Sequence, residues 1–158
     1  GADDSAALAV LATGSAGEAI RLSNLDGLRT YARIVALFAS LPRLDRQAAL
    51  ALADSAAQRG AGESRLGLIL MLMDLFLSRL ARSRIVGAQG AEAAPGEAAL
   101  FARLCPSPRA ARIWANLHQT LGARARHGQA VNLDPAALLL DMIFRIDQTA
   151  SQLALSEA

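Results

Sequence analysis

Apolar residues recur along this chain at helical spacing and seldom alternate. Leu8 and Leu11 begin the pattern, and Gly14 follows as a helix stop. Ser15, with Glu18 three residues on, forms a capping box that predicts a second helix to about Asn24. A third is predicted over about 26–41. Leu28, Tyr31, Val35 and Phe38 make one stripe, Ile34, Leu37 and Leu41 a neighbouring one, and Pro42 ends it. Asp45 caps a fourth, Ala-rich helix that stops at Gly60.

The fifth predicted helix, about 63–86, is apolar on every side. Leu66, Leu68, Ile69, Leu70, Met71, Leu72, Met73, Leu75, Phe76, Leu77 and Leu80 point in every direction, which suits the middle of a bundle. Arg79, Arg82 and Arg84 gather toward its C-terminal end, where the helix dipole favours cations. Residues 87–96, GAQGAEAAPG, offer no hydrophobic anchor and read as a mobile loop. Leu100, Phe101 and Leu104 anchor a short helix over 97–104. Ser107-Pro108 and Asp134-Pro135 each pair a capping residue with Pro at the first helical position. The helix after Ser107 carries Ile113, Trp114, Leu117 and Leu121, then frays through 123–129 with Gly128 as its stop. The last helix buries Leu139, Met142, Ile143, Ile146, Ala150 and Leu153, with Asp141 and Arg145 paired on the opposite face. The pattern predicts an all-α helical bundle of about eight helices.

Composition agrees. Of 158 residues, 53% are hydrophobic and only 4% aromatic; Ala and Leu dominate, and both favour helix over strand. The net charge of +2 is too small for a general nucleic-acid binder. All 16 basic residues are Arg, a bias that fits a GC-rich coding sequence. A single cysteine, Cys105, excludes an internal disulfide and fits a reducing compartment. No basic start leads into an apolar leader, and the most apolar run, 66–77, is interrupted by Asp74. A soluble, cytoplasmic protein with no membrane contact is expected. The start at Gly1 rather than Met suits a piece of a longer chain.

Candidate chemistry is sparse. His118 and His127 lie nine residues apart with no metal-ligand motif around them. Cys105 stands at a helix break before Pro106 and reads as a structural thiol. No catalytic residue, metal site or cofactor site is predicted, and no small-molecule ligand is expected. Two basic clusters remain: Arg79, Arg82 and Arg84, then Arg124 and Arg126 beside His127. Solvated helix ends explain both; contacts with acidic partners or DNA phosphates at an interface rim are the alternative.

The segment Gly14-Ser15-Ala16-Gly17-Glu18-Ala19-Ile20 is too short for a phosphate-binding P-loop and has no Lys. It resembles the sensor 2 region in the lid of AAA+ clamp-loader subunits, Gly-Ser-x-Arg-x-Ala-Leu. Gly14, Ser15, Ala19 and Ile20 carry the match. Gly17 stands at the Arg position, which is similar to the bacterial delta-prime branch, although Ala16 replaces that branch's usual Pro. The likeness continues through 26–45, 64–82 and 112–146, the last with its Trp-bearing helix and the triplet Asn132-Leu133-Asp134.

The resemblance implies the end of an AAA+ lid over 1–24 and a helical collar domain over 25–158. It implies a non-catalytic part of the DNA polymerase III clamp loader, which loads the sliding clamp in DNA replication. Partners would be the ATP-binding gamma/tau-type subunits and delta, with DNA met only through the complex. The family's arginine finger belongs to the N-terminal module, so no catalytic residue carries over. The outer faces of the fifth and last predicted helices are the first places to expect partner contact. The alternative reading is the ligand-binding and dimerisation half of a bacterial transcriptional repressor, which needs an enclosed apolar cavity. An all-α enzyme would need convergent polar groups in a pocket.

Overall fold

Seven helices form among the residues that the computed structural model describes, which are 2–12, 17, 22, 26–58, 65–86 and 91–157. They are α1 (Ala2–Leu11), α2 (Gly27–Ala39), α3 (Arg46–Ser55), α4 (Arg65–Val86), α5 (Glu97–Leu104), α6 (Pro108–Ala130) and α7 (Pro135–Ser156). The all-α class holds. The second predicted helix falls mostly outside the described residues, and so do Gly14 and Ser15.

The predicted caps form. Asp45 accepts from the Ala48 N–H at 3.1 Å, Ser107 from Ala110 at 3.0 Å and Asp134 from Ala137 at 2.9 Å. Each satisfies an N–H that the helix start leaves unpaired. α4 is the central rod. It packs most extensively against α6, then against α2 and α5, while α3 lies on α7. Leu68, Ile69, Leu72, Met73, Phe76, Leu77 and Leu80 of α4 are all buried, each worth about 1.5–3 kcal/mol over exposure. Phe76 is the hub of an aromatic cluster, with ring centroids 5.0 Å from Phe38, 5.5 Å from Phe101 and 6.5 Å from Tyr31. Trp114 is fully buried, and its indole N–H donates to the Leu104 carbonyl at 2.9 Å. One hydrophobic cluster runs through the described residues and takes in Leu11, Ala12 and Leu22 as well as the later helices.

Three local expectations change. Gly128 does not stop α6; the helix continues to Ala130. Asn132 is the residue that turns left-handed, at φ 55, and the Leu133 N–H then donates to the Gly128 carbonyl at 2.9 Å. That bond, with Asn132 N–H to Gln129 carbonyl, is a Schellman closure. Gly128 serves packing instead, because a Cβ there would lie 2.9 Å from Leu138 Cδ1. The fourth predicted helix ends early, at Ser55, and tightens into turns through Gln58; Gly60 lies outside the described residues. The predicted loop at 87–96 is anchored in its second half, where Ala93 and Ala94 are both buried.

Candidate functional site

The anchor of that segment is a carboxylate. Glu97, in the first turn of α5, is 1% exposed. Its Oε2 accepts from the Tyr31 hydroxyl on α2 and from Arg79 Nε on α4 at 3.2 Å. Its Oε1 accepts from Arg79 Nη2 and from the Ala93 N–H at 3.1 Å. Arg79 Nη2 also donates to the Ala91 carbonyl at 3.1 Å. Both carboxylate oxygens are therefore occupied, as a buried charge requires. Burial, followed by the charge and hydrogen bond of Glu97, pushes the Tyr31 phenol far above its ordinary range. Burial pulls the Arg79 guanidinium down, but Glu97 more than offsets this and the net shift is upward.

Arg79 thus sits inward, away from the rim position expected of it, because an acidic partner eighteen residues on closes over it. Its two neighbours stay exposed. Arg82 Nε donates to the Ser78 carbonyl of its own helix at 3.2 Å, and Arg84 Nη1 to the Pro106 carbonyl at 2.8 Å. Beside them lies a cleft of about 650 Å³, half open to solvent, with Val10, Phe101, Cys105 and Pro106 among its walls. Cys105 is buried, and burial raises its thiol above the ordinary value against smaller opposing effects of Ser83 and Arg84. Such a thiol is a poor nucleophile.

The second basic cluster is a surface feature. Arg124 spans from α6 to α7 and meets Asp141 Oδ2 at 2.9 Å, where Arg145 also converges. Arg126 and His127 are exposed. His118 Nε2 lies 2.8 Å from Asp74 Oδ1, which ties α6 to α4. Gly17, the described member of the sensor-like segment, is exposed and helical. No group of three or more His, Cys, Asp or Glu side chains is placed to hold a metal among the described residues. None of the helices there is long and apolar enough to cross a membrane.

Outward-facing apolar residues mark another surface. On α4, enclosed by its neighbours, Ile85 near the C-terminal end is the strongly exposed large one. Phe144 and Leu155 of α7 and Leu50 of α3 are open, and the Arg46 guanidinium sits 5.9 Å over the Phe144 ring. The last helix thus carries open apolar residues, and α3, which packs on it, carries another. Leu50 gave only a weak signal, a single Leu on the polar side of an Ala-rich helix. Glu97 gave none beyond an acid at a helix start.

Comparison with protein-family models, with curated proteins and with solved structures finds no match to this chain.

Proposed function

We propose that the chain is the helical collar domain, with the end of the preceding lid, of a bacterial clamp-loader delta-prime subunit. Its work is assembly rather than catalysis. It would pack against the collar domains of ATP-binding gamma/tau-type subunits and of delta in the cytoplasmic DNA polymerase III holoenzyme. It would thereby serve clamp loading in DNA replication, and meet DNA only through the complex.

The observation that carries this reading is the order of segments. A Leu41-Pro42 break leads to an Asp45-capped helix, and an enclosed central helix follows. The Trp114 helix, the Asn132-Leu133-Asp134 junction and a final helix complete the order. Gly17 at the sensor Arg position suits a subunit that does not hydrolyse ATP. Arg82, Arg84, Arg124 and Arg126 remain as rim candidates by their exposure, whereas Arg79 is committed to Glu97.

Size-exclusion chromatography with purified ATP-binding and delta subunits tests the proposal. Co-elution with at least one is expected; elution apart from all of them overturns it. Micromolar ATP binding by the chain alone would contradict the role given to Gly17. The repressor-type alternative has one feature in its favour, the cleft of about 650 Å³. That cleft borders the last turns of α4, at Arg79, Arg82, Ser83 and Arg84, rather than its apolar middle. A small ligand that raises the melting temperature through this cleft, together with failure to co-elute, would move the reading there.

A further inference from the structure

The outward ridge of α3 carries its charges in the wrong order for a helix. Arg46 occupies the first helical position and Asp54 lies in the last turn. The helix dipole favours the opposite arrangement, anions first and cations last. Neither side chain forms an ion pair among the described residues. Arg46 at least lies over Phe144; Asp54 is exposed with no compensation. Local rules broken without an internal gain are expected at functional surfaces. Leu50 stands midway between the two charges and is 49% exposed. The three residues are spaced i, i+4, i+8, so they share one ridge of the helix.

A ridge ordered basic, apolar, acidic is its own complement under a two-fold rotation. We propose that this face is an interface with a second copy of the chain. α3 packs antiparallel on its counterpart, with Leu50 against Leu50 and each Arg46 against the other copy's Asp54. Residues 46 and 54 are about 12 Å apart along the axis and symmetric about Leu50, so one crossing aligns both ion pairs. When i±4 ridges interdigitate, they lie side by side as this pairing needs. Phe144, 42% exposed on the adjoining α7, lies under Arg46 and adds apolar surface beside the ridge. An apolar centre with a charged rim is ordinary interface anatomy, and a two-fold contact closes on itself as a dimer. α3 has only 10 residues, so the buried area falls short of the roughly 800 Å² per partner of stable complexes. The dimer is weak and concentration-dependent. It does not rest on the clamp-loader reading, because it needs no other subunit.

Sedimentation equilibrium of the full chain, from about 10 µM to about 1 mM, brackets weak association. The apparent mass should climb toward the dimer across that range. Leu50→Glu should stay monomeric throughout. Arg46→Asp and Asp54→Arg should each weaken association about tenfold, since each sets like charges opposite one another twice. The double variant R46D/D54R should restore it to near the wild-type level. Each reversal also moves α3 toward the order the dipole favours, so loss of folding does not explain lost association; circular dichroism of each variant verifies this. A wild-type chain that stays monomeric to the top of the range overturns the proposal. So do single reversals without effect, or a double reversal that fails to rescue.

Discussion

The two Arg clusters look alike in sequence and do different work in the structure. Arg79, Arg82 and Arg84 stand near the end of one helix, Arg124 and Arg126 near the end of another. In the first, Arg79 keeps only 20% of its side chain exposed and holds a buried carboxylate shared with Tyr31. In the second, Arg124 is 44% exposed and meets a carboxylate at the surface. The difference lies in the partner's burial and not in the arginines. A charge pair enclosed by packed helices fixes three elements at once, whereas a pair in water is screened and loosely held.

Removing Arg79 should separate the clusters most sharply. Arg79→Ala leaves Glu97 buried with its charge uncompensated, which costs about 3–5 kcal/mol. The lower end is expected, because Arg79 is not fully out of solvent. Urea unfolding should show the midpoint falling with an unchanged slope. The double variant R79M/E97L should recover most of the loss, since replacing a buried pair with apolar side chains is often neutral. If the single variant lost less than Arg124→Ala, the contrast between the clusters would collapse.

Tyr31→Phe comes next. It removes one donor from the Glu97 carboxylate, a bond of the charged type worth about 1.5–3 kcal/mol. The same residue sets an alkaline limb. Its folded pKa is raised above the ordinary 10.0, so its contribution is complete below pH 10.0 and is lost as pH rises toward the folded value. Tyr31 is the single tyrosine of the chain, so tyrosinate absorbance reports it alone. That absorbance should lag behind a free phenol in the native protein, and Tyr31→Phe should abolish the Tyr31-dependent loss of stability above pH 10.0. A native phenol that titrates at its ordinary value would show that the hydroxyl is not enclosed with Glu97.

Arg84→Ala is a smaller change inside the first cluster. Its guanidinium donates to the Pro106 carbonyl from an exposed position, so about 0.5–1 kcal/mol is expected. Thermal melts of the R84A and R79A variants should rank in that order. Equal losses would mean that the cluster acts as a unit.

Much of the fold was legible in the sequence because it depends on short-range signals. Asp45, Ser107 and Asp134 each sit within three residues of the N–H they cap. The apolar pattern of α4 places it at the centre of the bundle, and along 65–81 the exposed position is Asp74, the polar interruption in that run. Gly128 misled because glycine both ends helices and admits close neighbours, and only the approach of Leu138 tells which applies. The contact of Glu97 with Tyr31 crosses 66 residues and that with Arg79 crosses 18. No local pattern reports such pairings. Residues 91–96 were misjudged for the same reason, since their anchor is that carboxylate and not an apolar side chain. The sensor-like junction at Gly14 and Ser15 lies outside the described residues.

The smallest expected effects lie within the second cluster and separate its two arginines. Arg124 Nε and Nη2 both reach Asp141 Oδ2, at 3.0 and 2.9 Å, from across the α6–α7 contact. Arg126 is exposed and makes no ion pair among the described residues. Arg124→Ala should therefore cost about 0.2–1 kcal/mol at low salt. Arg145 holds Asp141 from the same helix, so the carboxylate is not left alone. Raising the salt to about 1 M shortens the screening length to about 3 Å, and the difference from wild type should then shrink. Arg126→Ala should leave the melting temperature unchanged at any salt. An interface rim would reverse this order in the assembled state: Arg126, free of internal obligations, would then weaken co-elution with partner subunits more than Arg124. Stability and assembly measured on the same two variants thus read opposite sides of one surface, the part spent on folding and the part left for a partner.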